Sequence, residues 1–291
     1  MPNLYRSSSG QRCVRDWCTQ RLAAWPVPHA TSTVETSLGE THLLSAGEGG
    51  TVCVYLPGTN FNAATSLGLL GHLARRCRVV AADLPGQPGL SSPTRPRPET
   101  QGYASWLAEV LTGIRAEHAS GRLVVAGHSR GAAVAMSGPT DVDGLVLVSP
   151  AGLVGVRVGA GVLRTALPWM LRPTPARSRA LLRLMSGQAS TPAPLLAEWL
   201  TLVARESRST GAPGPLSDDL VERWRGRPVR VLVGEHDHFF PSDRVGRAAR
   251  DRLGVEAEVL PGLGHLAVEE APEQVAEAVL AKPGDARAGR W

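Results

Sequence analysis

Six short runs dominated by valine, leucine and alanine recur along the chain, at residues 51–56, 78–83, 122–126, 144–149, 229–234 and 255–260. Most of them are continuously apolar, the pattern of strands buried on both faces in a parallel sheet covered by helices. Segments of helical periodicity, such as 103–118, separate most of these runs. Residues 33–36 and 41–46, joined around Leu38-Gly39, read as a hairpin that begins the sheet. The expectation is an α/β fold with a mostly parallel, eight-stranded sheet flanked by helices.

Two regions break this rhythm. Residues 11–25 place Val14, Trp17, Cys18, Leu22 and Trp25 toward one helical side and stop at Pro26 and Pro28, so a helix is expected ahead of the sheet, packed onto it. Between 152 and 225 the strand pattern lapses, and prolines divide short amphipathic helices. Leu181, Leu182, Leu184 and Met185 form one apolar cluster; Leu195, Leu196, Trp199, Leu200 and Val203 form another, after a helix start at Thr191-Pro192. This segment reads as a helical lid inserted after the sixth strand. The expected organisation is an N-terminal helical extension (1–28), a core (29–151 and 226–281), a lid (152–225) and a disordered tail (282–291).

Candidate chemistry sits at the ends of these strands. GHSRG, at 127–131, joins an apolar run to an alanine-rich one, which reads as strand, tight turn and helix. A serine on such a turn is strained and exposed, and needs glycine two residues to either side; Ser129 has Gly127 and Gly131. It is the expected nucleophile, with the Arg130 N–H at the helix start as one oxyanion donor. A serine alcohol needs a base and a group to orient it. His265, on the glycine-rich loop PGLGH, is the expected base, and Asp237, in GEHDHFFP, the orienting carboxylate. Glu235 and Asp243 compete with Asp237, as His236 and His238 do with His265. Alternation along the strand turns His128 away from the serine, as a packed, hydrogen-bonded histidine. An HxH pair beside carboxylates could also hold zinc or iron, but no third separated ligand group accompanies it.

Four blocks in this order, LPGTNFN (56–62), DLPGQPGLS (83–91), GHSRG, and GEHD paired with GLGH, resemble the α/β-hydrolase family over residues 52–279. The resemblance implies the α/β-hydrolase fold and a serine hydrolase of carboxylesterase type. It also implies that the Thr59 N–H is the second oxyanion donor. Pro57 stands where the family usually has histidine, and Gly138 and Pro139 imply a short helix after Ser129. The expected reaction is cleavage of a small to medium apolar carboxylic ester through an acyl-enzyme. Thioester, lactone or carbon–carbon bond hydrolysis are the alternatives, the last suggested by SPAGL at 149–153, together with a catalytically silent binding protein on the same fold.

The formal net charge of +5 does not redirect this reading. Of 31 cationic side chains only Lys282 is lysine, and the arginines are scattered without interleaved aromatics, so no nucleic-acid partner is expected. Cys13, Cys18, Cys53 and Cys77 show no CxxC spacing and are expected to be reduced thiols. With no signal-peptide core and no membrane-length apolar stretch, the expectation is a cytoplasmic monomer or homodimer acting on a small molecule, with no metal or cofactor.

Overall fold

The computed structural model describes residues 4–118, 121–188, 190–208 and 211–281. The expected disorder of 282–291 lies outside these residues. Eight strands, β1 (His29–Val34), β2 (Thr41–Ala46), β3 (Thr51–Leu56), β4 (Arg78–Ala82), β5 (Arg122–His128), β6 (Gly144–Val148), β7 (Val229–Gly234) and β8 (Ala257–Leu260), form one sheet. Its order is β1-β2-β4-β3-β5-β6-β7-β8. β1 and β2 pair antiparallel, as do β2 and β4; from β4 to β8 every pair is parallel. Val54 stands between Val80 and Val125 at the centre of the register.

Alternation along the strands divides the core between two faces. Cys53, Tyr55, Val79 and Val124 point to one, toward α1 (Ser8–Ala23), α2 (Leu67–Ala74) and α11 (Pro272–Leu280). Val52, Val54, Val80 and Val125 point to the other, toward α3 (Glu99–Glu117), α4 (Arg130–Ser137) and α9 (Ser242–Ala248). Successive side chains of a strand leave on opposite sides, so burial of both sets requires helices on both faces.

Between β6 and β7 run α5 (Ala160–Leu171), α6 (Pro175–Met185), α7 (Pro194–Glu206) and α8 (Asp218–Glu222). Leu181, Leu182, Leu196, Trp199, Leu200 and Val203 join the same buried cluster as α1 and α2. Trp17 of α1 packs its ring 4.5 Å from that of Trp199. By contrast, α8 and Trp224 lie on the opposite face, where the Trp224 Nε1–H donates to the Met136 carbonyl at 2.8 Å.

Some boundaries differ from the sequence reading. β1 occupies 29–34 and not 33–36, because its Thr/Ser run leaves most side chains exposed and carries no apolar signal; pairing with β2 defines it. α7 starts at Pro194, with Thr191 and Pro192 outside the helix, since the second proline takes the first helical turn. β8 starts two residues later than expected, at Ala257, after the left-handed Gly254 has closed the preceding helix.

One buried group stands apart from the chemistry. On α10 (Ala267–Glu270), both carboxylate oxygens of Glu269 are shielded from solvent and lack a hydrogen-bond partner among the described residues. Burial pushes its pKa up to about 8. The folded state therefore holds a proton that the unfolded chain releases near its ordinary value of 4.5, and stability falls as pH rises from there through about 8. Glu269→Gln keeps the neutral shape and is expected to flatten the decline in melting temperature between acidic and alkaline buffer, measured by thermal unfolding across that pH window.

Candidate active site

Ser129 sits at the end of β5 and caps α4 with φ 51° and ψ −112°, a conformation side chains rarely adopt. The flanking glycines have a steric cause. A Cβ on Gly127 would meet the backbone of Gly131, and one on Gly131 would collide with the Leu56 carbonyl of β3. The turn is wedged between two strands and a helix, which aims the Ser129 hydroxyl above the carboxyl edge of the sheet. Ser129 is 5% exposed.

The structure brings Ser129, His265 and Asp237 together. His265 Nε2 lies 3.2 Å from Ser129 Oγ, and His265 Nδ1 lies 2.9 Å from Asp237 Oδ2. A carboxylate only accepts, so the Nδ1–H donates to Asp237 and leaves Nε2 to accept from the serine hydroxyl. Asp237 Oδ1 accepts from the Phe239 and Phe240 N–H groups, each at 2.9 Å. Burial pushes the Asp237 carboxyl up, but the His265 ring, its hydrogen bond and the Phe240 N–H outweigh this and hold it below its ordinary value.

The rival groups are occupied elsewhere. Glu235 accepts from the Gly262 N–H at 2.8 Å, and Asp243 pairs with Arg247 at the surface. His236 lies near Glu235, and His238 is exposed. His128 Nε2–H donates to the His265 carbonyl at 2.8 Å and does not bond Ser129. Burial and the neighbouring His265 ring lower its pKa to about 3, so it stays neutral. Its ring lines the same cavity. Among the described residues no three His, Cys, Asp or Glu side chains converge as a metal centre requires.

Thr59 and Arg130 flank the serine. The loop after β3 turns at Gly58 to Phe61, with Asn60 at φ 64°. Three side chains from two distant segments fasten it. Gln87 Oε1 accepts from the Asn60 N–H at 3.1 Å, Trp199 Nε1–H of α7 donates to the Asn60 carbonyl at 2.7 Å, and Asp83 Oδ1 accepts from the Ala63 N–H at 2.8 Å. The block DLPGQPGLS thus works as a buttress beneath the loop. The Arg130 side chain, 1% exposed, donates from Nε to Thr59 Oγ1 at 3.2 Å and pairs with Glu99.

The His265 loop is fastened as firmly. A Cβ on Gly264 would strike the backbone of Met185 and Ser186, so only glycine lets the loop pass the end of α6. Glu270 accepts from the Gly187 N–H at 2.7 Å and the Gly264 N–H at 3.0 Å, joining the loop to the segment just after α6. The side-chain roles of Arg130, Trp199 and Glu270 escaped the sequence reading, because each depends on a partner 31 to 139 residues away or on an inter-element contact.

A cavity of about 240 Å³ opens against Ser129, His265, Gly58 and Thr59. Phe61, Trp169, Leu181, Met185, Leu200 and Leu266 make its walls mainly apolar. Four of these six come from α5, α6 and α7, and Phe61 and Leu266 come from the loops after β3 and β8, so the insertion after β6 walls one side of the site. The arrangement can activate a hydroxyl, hold a small apolar group beside it and keep bulk water low.

The sequence profile of the alpha/beta hydrolase family matches residues 53–278. Two Bacillus subtilis proteins, the uncharacterized carboxylesterase nap and the carboxylesterase YbfK, are 25% and 24% identical. The first alignment covers 90% of this chain and 89% of nap; the second covers 90% of both. Among solved structures, naproxen esterase from Bacillus subtilis superposes with a TM-score of 0.79 at 21% identity, over 94% of this chain and 98% of that one.

The wedge around the serine turn has a direct test. Gly131→Ala forces a methyl group into the Leu56 carbonyl and is expected to destabilise the protein by about 3 kcal/mol, or to prevent folding. Thermal or denaturant unfolding checks this, and an unchanged melting temperature would show that β3 and α4 can separate without cost.

Proposed function

The chain belongs to the alpha/beta hydrolase family, and we propose that it hydrolyses carboxylic esters through an acyl intermediate on Ser129. The observation that carries this reading is the Ser129, His265 and Asp237 hydrogen-bond chain at the floor of an apolar cavity. The carboxylesterase names of its two Bacillus subtilis relatives point the same way.

In this mechanism His265 Nε2 takes the Ser129 proton while Oγ attacks the ester carbonyl carbon. The carbonyl oxygen gains the negative charge, and the backbone N–H groups of Thr59 and Arg130 stabilise it. Collapse breaks the bond to the alkoxy group, and His265 returns the proton to the departing alcohol. Water then enters, gives a proton to His265 and attacks the acyl carbon, and the carboxylic acid leaves as Ser129 regains its hydrogen. Asp237 keeps the His265 ring in the tautomer that accepts from serine and balances its charge when protonated.

The cavity supports a substrate of modest size. At about 240 Å³ it is below the usual range of roughly 300–1,000 Å³ for drug-sized ligand sites, so it suits a small to medium apolar acyl group. The helices α5, α6 and α7 act as a lid over it.

Intact-protein mass after treatment with a fluorophosphonate is expected to show one adduct on the wild type and none on Ser129→Ala. Ser129→Ala is expected to lower kcat on p-nitrophenyl butyrate by about a thousandfold or more with the fold retained. Asp237→Asn is expected to lower it by ~10³ to 10⁴, because the amide favours the wrong histidine tautomer. Labelling with no ester turnover would redirect the reading to thioesters, lactones or a carbon–carbon bond, and full turnover in Ser129→Ala would end it.

A further inference from the structure

Helix α5 is apolar on both sides. Its inner side carries Val162 and Trp169, which are buried, and Ala166, which lines the cavity. Its outer side carries Leu163, Leu167, Met170 and Leu171, at the i, i+4, i+7 and i+8 positions of one stripe. Each is more than half exposed, Leu171 by 75%, and Val158 just ahead of the helix extends the patch. Among the described residues six large hydrophobic side chains are exposed, and only Val259 lies elsewhere. A helix apolar all round is normally buried on all sides. A concentrated exposed patch of this kind marks an interaction surface.

The charge around the patch selects what covers it. From residue 144 to residue 197 the sequence holds six arginines and no carboxylate side chain. Arg157, Arg164 and Arg172 are exposed, and each adjoins an exposed apolar residue, Val158, Leu163 and Leu171. The carboxylates of Glu235, Asp237 and Asp243 line a groove beside its N-terminal end. A second copy of this chain, docked by a two-fold axis, would set arginine against arginine with no acid on the helix to offset them. Twelve residues at ~1.5 Å rise span about 18 Å, short of the roughly 30 Å of a bilayer core. No helix among the described residues is long and apolar enough to cross a membrane. The combination of a short apolar stripe and flanking arginines suits a helix lying in the plane of a negatively charged interface.

We propose that the outer face of α5 docks on an anionic lipid bilayer. Leu163, Leu167, Met170 and Leu171 enter the headgroup boundary, and Arg157, Arg164 and Arg172 meet the lipid phosphates. Because the inner side of the same helix walls the cavity, docking brings the cavity within one helix diameter of the lipid. This surface stands independently of which ester the site cleaves.

Flotation of the full chain with phosphatidylcholine vesicles, with and without phosphatidylglycerol, tests the proposal. Co-flotation with the phosphatidylglycerol vesicles is expected, weakening as salt shortens the Debye length from about 10 Å to about 3 Å. Leu167→Glu with Leu171→Glu is expected to reduce binding by about tenfold or more, with turnover of a soluble ester and melting temperature unchanged. Arg164→Gln with Arg172→Gln provides a second variant that leaves the apolar stripe intact and is expected to weaken binding to the anionic vesicles alone. No flotation, equal flotation on neutral vesicles, or binding indifferent to both double variants would overturn the proposal. A concentration-dependent dimer that the double glutamate variant dissolves, seen by light scattering, would assign the face to a second copy and overturn it as well.

Discussion

The approach of three backbones at the carboxyl edge of the sheet governs the rest of the molecule. β3 ends so close to the turn joining β5 to α4 that a Cβ on Gly131 would strike the Leu56 carbonyl, while one on Gly127 would strike the start of α4 at Gly131. The serine itself is held at φ 51°, a conformation that costs about 1–3 kcal/mol. Burial of β5 on both faces, and of every residue of α4, offsets that cost. The sheet order follows from the same constraint, because β3 and β5 must be neighbours for the turn to rest on Leu56.

Around this fixed point the other groups are positioned by struts from distant segments. The loop carrying Thr59 is held by Gln87, Trp199, Asp83 and the Arg130 guanidinium. The loop carrying His265 is held by Glu270 and by its passage against α6. Several of these are hydrogen bonds between a buried side chain and a backbone group, which fix a loop more firmly than exposed ion pairs do. Trp199 and Glu270 both join the helical insertion to the loops that flank Ser129, so the insertion and the site form one mechanical unit.

The insertion also has two sides with different surroundings. Leu181, Leu196, Trp199 and Val203 settle its inner side into the main core, together with α1 and α2. That leaves α5 with an apolar side that nothing among the described residues covers. The core therefore explains most of the insertion's hydrophobic residues, and α5 holds the remainder.

Much of the fold was legible in the sequence, because six strands announce themselves as local apolar runs and the serine turn as a five-residue pattern. The order Ser129, Asp237, His265 along the chain was equally local information. β1 was misplaced because an exposed Thr/Ser edge strand has no hydrophobic period, only a partner. The buttressing residues and the buried carboxylate of Glu269 were invisible for a related reason: arginine, tryptophan and glutamate look the same in sequence whether solvated or buried. Sequence alone determined which elements form and which residue types stand at the strand ends, since backbone preference and periodic burial act within a few residues. Only the tertiary structure decided which of the competing histidines meets Ser129, which carboxylate meets that histidine, and which side of α5 faces solvent, because those depend on distances between segments far apart in the chain.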